Sequence, residues 1–219
     1  MKLISMMNDL TPMIRKARVS IPLVCVTLLA FATPALAHHP FGGMMPNTWV
    51  QGFLSGLGHP VIGPDHLLFT IVIGLLATRL KPAWAIPAAF LAATLAGTGL
   101  HLMGLDLPAP EFTIALSVVI FGGLAIYGNR LNTGGVALLA ALAGLFHGYA
   151  YGEAVVGAEM TPLLAYLIGF TAVQGAIAAG AFWIAQLGVN PTQQIQRLRY
   201  GGLIIGGAGA AFLSSVVLG

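Results

Sequence analysis

The sequence predicts an all-α membrane protein, a helical bundle with six transmembrane helices after a cleaved signal peptide. Of its 219 residues, 58% are hydrophobic and only 7% are charged, whereas soluble domains carry about 25% charged residues. Apolar runs of roughly 20 residues, the length of a membrane span, recur along the chain. The 29 glycines suit helices packed in lipid, where small residues let backbones approach closely. No soluble domain of useful size is left over.

Residues 1–37 are predicted to be a secretory signal peptide. Basic residues at 15, 16 and 18 precede an apolar stretch, Val19 to Phe31, which is too short to cross about 30 Å of hydrocarbon comfortably. The Ala-Leu-Ala sequence at 35–37 matches the small-x-small cleavage pattern. We therefore expect the mature chain to begin at His38, with an uncleaved anchor as the alternative.

Residues 38–219 are predicted to form a single membrane domain with six spans. The spans lie at about 49–79, 83–103, 111–129, 134–152, 162–187 and 200–218. Loops that alternate from an outer N-terminus place every basic residue of the mature chain inside: Arg79, Lys81, Arg130, Arg197 and Arg199. This placement agrees with the positive-inside rule. It predicts a bacterial inner (plasma) membrane or another energised membrane, with the mature N-terminus on the outer, periplasmic or lumenal side.

The first span is too long for one straight helix at about 1.5 Å per residue. Pro60 and Pro64 lack an amide donor and disfavour helix in the preceding residue. We expect an outer helix from Trp49 to Gly58, a break at 59–63, and an inner helix that begins at Pro64. Irregular backbone at membrane depth is tolerated only where protein buries it or where it lines a wet cavity. The break at Pro60–Pro64 therefore predicts a site.

Six ionisable residues lie within or at the ends of the predicted spans: His59, Asp65, His66, His101, His147 and Glu153. Such residues are costly in a membrane and are functional-site candidates by default. The predicted orientation places all of them in the outer half of the membrane. Imidazole and carboxylate suit Ni, Co, Zn and Cu better than Mg or Ca. We predict that this set binds a divalent transition metal, with His101 as an accessory residue.

The spacing of His59 and His66 makes the break important. On a straight helix they are about 10.5 Å apart, too far for one ion at metal–nitrogen distances of about 2 Å, but a kink can bring them together. Asp65 can offset the positive end of the inner helix dipole or orient a ligating imidazole. Whether the two histidines share one ion or hold successive positions stays open.

The predicted mature terminus carries His38 and His39, which are candidates for metal capture because an α-amine and an imidazole can chelate an ion; an unstructured terminus is the alternative. The single Cys25 excludes a disulfide framework and a cysteine-based metal site. Gln174 is more readily explained as interhelical glue than as a ligand. The sequence has no G-x-x-x-x-G-K-[ST] phosphate loop, so transport must use a gradient or the membrane potential.

These residues favour secondary uptake of a divalent transition metal over enzyme activity. One rival is an intramembrane zinc enzyme, which needs three protein ligands and an activated water, although no H-E-x-x-H motif is present. The other is a non-transporting accessory subunit that binds metal. The expected partners are the metal ion and the lipid bilayer, with no nucleic acid. A homo-oligomer and association with a larger membrane complex both remain open.

The chain contains His59-Pro60-x-x-Gly63-x-Asp65-His66-x-x-Phe69 and Phe146-His147-Gly148-x-Ala150-x-Gly152-Glu153. These two motifs resemble those of the HupE/UreJ family of bacterial nickel permeases. The resemblance implies uptake of nickel(II), with cobalt(II) as a second substrate and zinc or copper still open. It assigns the metal site to His59, Asp65, His66, His147 and Glu153. This chain has Tyr151 where the second motif of the family has a histidine.

Overall fold

The computed structural model describes residues 45–127, 131–187 and 190–219. These residues form seven α-helices and no strand: α1 (Trp49–Ile62), α2 (Pro64–Ala77), α3 (Ala85–Leu102), α4 (Pro110–Tyr127), α5 (Thr133–Glu153), α6 (Met160–Gln186) and α7 (Pro191–Leu218). Helices α3 to α7 are each long and apolar enough to cross a membrane, and the bent pair α1–α2 makes a sixth candidate span. The predicted all-α polytopic bundle is confirmed. The predicted signal peptide lies outside the described residues.

The first span is broken, but at a single residue. Helix α1 was expected to end at Gly58; it instead continues through His59 and Pro60 to Ile62, and Gly63 alone separates it from α2, which is bent from it by 80°. An unsatisfied backbone group costs several kcal/mol in lipid, so the helix keeps its hydrogen bonds to the end, and the Gly63 amide still donates to the His59 carbonyl at 3.1 Å. Gly63 adopts φ −76° and ψ 105°, the extended conformation favoured before a proline.

Three helix pairs, α1 with α6, α3 with α5 and α4 with α7, have the most extensive contacts. Glycines lie where the backbones come closest: a Cβ on Gly56 would collide with the Tyr166 carbonyl, and one on Gly148 with the Thr94 backbone. Thr98 joins α3 to α5, since its hydroxyl lies 2.8 Å from the Gly148 carbonyl and 3.0 Å from that of Thr94. Small residues and a buried hydroxyl thus fix α5 against α3.

The bent pair α1–α2 touches α6 on both sides of the break. Gly56 lies against Tyr166 and Phe170, and Gly74 lies against Ala178. Between these two contacts the bent pair has more residues (Gly56 to Gly74) than α6 has (Tyr166 to Ala178). The 80° bend at Gly63 lies between these two contacts, and there the His59 side chain contacts Tyr166 of α6.

Polar side chains cap several of the helix ends. The side chains of Thr48, Asn132 and Asn190 each accept a hydrogen bond from a backbone amide in the first turn of the helix that follows, as good N-cap residues do. Arg197 of α7 donates to the Leu187 carbonyl at 3.0 Å, where its charge also suits the negative end of α6.

Candidate metal centre

Three histidines come together beside the break. His59 lies near the end of α1, His66 in the first turn of α2 and His147 in α5, and their side chains are 5%, 4% and 0% exposed. The ring centroids of His59 and His66 are 5.9 Å apart, although seven residues of a straight helix would separate their backbones by roughly 10.5 Å. Those of His66 and His147 are 4.9 Å apart. The bend in the chain is what allows this grouping.

The closest contact in the group joins two ring nitrogens. The Nδ1 atoms of His66 and His147 are 2.7 Å apart. Two nitrogens that bind one ion at about 2.0–2.1 Å in tetrahedral geometry are themselves about 3.3–3.4 Å apart. Small side-chain rotations would therefore convert this hydrogen-bonded pair into a pair that can bind one metal ion.

Two hydroxyl groups from neighbouring helices form hydrogen bonds with ring nitrogens of these histidines. The Tyr166 hydroxyl of α6 lies 2.8 Å from His59 Nδ1 and donates to the Tyr151 carbonyl, also at 2.8 Å. The Ser117 hydroxyl of α4 lies 3.1 Å from His147 Nε2 and donates to the Ile114 carbonyl at 2.6 Å. Each hydroxyl thus joins one imidazole to a backbone carbonyl.

Tyr151 is fully buried beside the histidines. Its ring centroid lies 5.0 Å from that of His59 and 4.6 Å from that of His66. Its hydroxyl has no hydrogen-bond partner within the described part of the chain. A buried hydroxyl without a partner costs about 1–3 kcal/mol, so its presence calls for a functional explanation.

Aromatic side chains close one side of the centre. The His147 ring packs against Phe69 at a centroid distance of 4.4 Å and against Phe90 at 5.8 Å, and both phenylalanines are buried in the main apolar core. A mostly apolar pocket with a few convergent polar groups is the usual form of a small-ligand site.

Asp65 lies next to this group. Its Oδ1 accepts a hydrogen bond from the His66 backbone amide at 2.8 Å, and it is the acidic residue in the first turn of α2. This is the position from which a carboxylate offsets the positive end of the helix dipole.

The remaining predicted residues lie elsewhere. Glu153 is the exposed last residue of α5. His101 of α3 packs its ring on Tyr149 at 4.3 Å and lies against Gly152, and its Nδ1 is buried with no partner among the described residues. His38 and His39 fall outside the described residues.

Across residues 45–127, 131–187 and 190–219, no three His, Cys, Asp or Glu side chains are grouped closely enough to hold a metal ion by themselves. His59 is turned towards Tyr166, while His66 and His147 face each other. The arrangement thus presents one close pair of imidazoles, a third imidazole beside it, and hydroxyl oxygens as the further donors.

Sequence reasoning did not find Tyr166 or Ser117. Each is far from the histidine it contacts, 107 and 30 residues along the chain, and a single hydroxyl in an apolar run carries no signal of its own. Tyr151 had a signal, because it stands in the second motif four residues after His147, and residues at that spacing share a helix face.

Comparisons with known proteins identify the family of the chain. The sequence matches the family described as "HupE / UreJ protein" over residues 26–212, a range that includes the whole centre. It is 31% identical to "Protein HupE" of Rhizobium leguminosarum bv. viciae over 192 residues, which cover 87% of this chain and 96% of that relative. No solved structure matches the chain.

Proposed function

Because the chain belongs to the HupE/UreJ family, which is associated with nickel and cobalt uptake, we propose that it carries a divalent transition metal, nickel(II) first, into the cell by secondary transport. The metal is the substrate, and it passes through the centre formed by His59, His66 and His147. Tyr151 adds an oxygen donor to this set.

The observation that carries the proposal is the 2.7 Å approach of the Nδ1 atoms of His66 and His147. Neutral imidazole nitrogens are ligands for nickel, cobalt, zinc and copper. Here two of them converge in a buried position at the break of a membrane span, where ionisable residues are costly unless they serve a function.

Asp65 and Glu153 contribute charge in this proposal. The Asp65 carboxylate neutralises the positive end of α2, which would otherwise repel a cation that approaches His66. Glu153 is exposed at the end of α5, and an exposed carboxylate raises the local concentration of cations. His101 lies beside Gly152, next to Glu153, and is an accessory ligand on the way in. His38 and His39 are proposed to capture metal on the outer side.

The membrane potential can drive this transport. It contributes about 2.3 kcal/mol per elementary charge per 100 mV, hence about 4.6 kcal/mol for a dication. A carrier that releases its ion readily can therefore use the membrane potential to accumulate metal inside the cell without ATP hydrolysis.

The donor set favours transport over the rival zinc enzyme. A catalytic zinc site fixes the ion with three protein ligands and keeps one position for water. The close pair of imidazoles, with hydroxyl oxygens around it, is suited to weaker and exchangeable coordination, which a carrier needs in order to release its substrate.

Uptake of radiolabelled nickel by cells that express the protein tests the proposal. We expect His66→Ala and His147→Ala each to abolish accumulation at matched levels of protein in the membrane. Ser215→Ala is the control, because it removes a hydroxyl that donates to the Phe212 carbonyl within α7, and it should retain uptake. Wild-type uptake by both histidine variants would refute the proposal.

A further inference from the structure

We propose that Tyr166 and Ser117 are positioning residues that determine the tautomers of the three histidines. Each hydroxyl donates its own proton to a backbone carbonyl and therefore accepts a hydrogen bond from a histidine. This inference rests on the proposed function, because it describes how the same centre presents nitrogen lone pairs to the metal. It follows from the number of protons that each group in the hydrogen-bond network can donate.

The Tyr166 hydroxyl determines the tautomer of His59. A hydroxyl has one proton to donate, and that of Tyr166 goes to the Tyr151 carbonyl, which can only accept. In its 2.8 Å contact with His59 Nδ1 the hydroxyl must therefore accept. His59 carries its proton on Nδ1, and the lone pair is on Nε2.

The Ser117 hydroxyl determines the tautomers of the other two histidines in the same way. Its proton goes to the Ile114 carbonyl, so it accepts from His147 Nε2 at 3.1 Å. The lone pair of His147 is then on Nδ1. The 2.7 Å contact between the two Nδ1 atoms requires one donor, which must be His66.

This network makes the binding of metal an exchange. The Nδ1 lone pair of His147 accepts a hydrogen bond from the Nδ1–H of His66 in the metal-free protein, and an incoming cation must displace that hydrogen bond. For both Nδ1 atoms to bind the ion, the His66 proton moves to Nε2, and no proton is lost. An internal competitor for the ligand lone pair lowers the affinity for metal, which suits a carrier. Partners that orient ligating histidines generally change metal affinity 10–100-fold when they are removed.

Nitrogen NMR of protein labelled with ¹⁵N-histidine reads the tautomers directly, in the absence of metal. The resonances of His59 and His147 are assigned from His59→Gln and His147→Gln. We expect wild-type His147 to be protonated on Nε2 and His59 on Nδ1. Ser117→Ala should shift His147 towards Nδ1 protonation, and Tyr166→Phe should shift His59 towards Nε2 protonation, while each leaves the other histidine largely unchanged.

Matched controls separate this role from general effects of losing a hydroxyl. Ser215 donates to the Phe212 carbonyl at 2.8 Å, the same bond to the third preceding residue that Ser117 makes, but away from the histidines. Tyr149 donates its hydroxyl proton to Asp106. Ser215→Ala and Tyr149→Phe should leave both tautomers as in wild type.

Nickel affinity of the same purified variants, measured by calorimetry with nickel chloride, completes the test. We expect Ser117→Ala and Tyr166→Phe to weaken binding at least tenfold, with no change in the controls. Opposite tautomers in wild type, or tautomers that persist in both variants, would overturn the inference, as would shifted tautomers with unchanged nickel affinity. Assigned tautomers in a wild-type protein that takes up no nickel would instead refute the transport function, so the two failures are distinguishable.

Discussion

At the scale of single residues, the Tyr151 hydroxyl is expected to lower the stability of the protein and to contribute to its function. Its hydroxyl is buried among the histidines with no hydrogen-bond partner in the described part of the chain, which lowers the stability of the folded protein by about 1–3 kcal/mol. Such a group is retained when it does something useful, and an oxygen donor beside two imidazoles can coordinate a passing cation.

Tyr151→Phe is predicted to stabilise the protein and to impair transport. The variant keeps the buried ring but loses the unpaired hydroxyl, so the free energy of unfolding in detergent should rise by about 1 kcal/mol. Nickel uptake should fall about tenfold, as for the loss of other groups that support a metal site. The control is Tyr149→Phe, which should keep full uptake. Normal uptake by Tyr151→Phe would show that the hydroxyl has no part in transport.

The sequence revealed the histidines of the centre but not the hydroxyls around them. His59, Asp65 and His66 lie in one span, and their spacing about two prolines marked them as a group. Ser117 and Tyr166 reach the centre from α4 and α6 only because the helices pack together. Tertiary neighbours of this kind leave no local pattern in a single sequence, since a serine or tyrosine in an apolar helix is common.

At the scale of helices, the position of His147 depends on how closely α5 packs on α3. Gly148 follows His147, and a Cβ at this position would collide with the backbone of Thr94. A backbone cannot turn aside as a flexible side chain can, so the two helices would have to separate. The glycine in the second motif therefore holds the neighbouring histidine in place.

Gly148→Ala is predicted to destabilise the protein by about 1–3 kcal/mol, the usual effect of overpacking, and to reduce nickel uptake because His147 moves. Gly99→Ala in α3 is the matched control. Apart from the adjacent backbone of α3 itself, no atom of the described residues lies within 4 Å of a Cβ built there, and alanine favours helix over glycine by up to about 1 kcal/mol. In detergent, the midpoint of thermal unfolding should therefore fall for Gly148→Ala and rise for Gly99→Ala. Equal midpoints for the two variants would contradict this packing.

The sequence predicted that the first span is broken, but not where α1 ends. Propensity alone placed the end at Gly58, before the residue that precedes Pro60. In the structure the backbone stays helical to Ile62, because hydrogen bonds are too valuable in lipid to give up early. The bend occurs instead at Gly63, where the following proline favours an extended conformation.

At the scale of the whole molecule, the transported charge links uptake to the membrane potential. In liposomes that contain the purified protein, a potassium diffusion potential set with valinomycin can be varied at fixed nickel concentration. For an uncoupled dication, 100 mV inside-negative corresponds to about 4.6 kcal/mol, or about three decades of accumulation at equilibrium. Protein-dependent nickel entry should therefore increase with an inside-negative potential. Entry that does not depend on the potential would exclude potential-driven transport.

The central claim is that the metal binds between His66 and His147, and anomalous X-ray scattering tests it most directly. Crystals of the full chain would be soaked with nickel, cobalt, copper and zinc, singly and in competition, with data collected at each metal edge. We predict a nickel peak within coordination distance of the Nδ1 atoms of His66 and His147, which disappears in His147→Ala. A nickel peak away from both histidines, or no peak at saturating nickel, would contradict it.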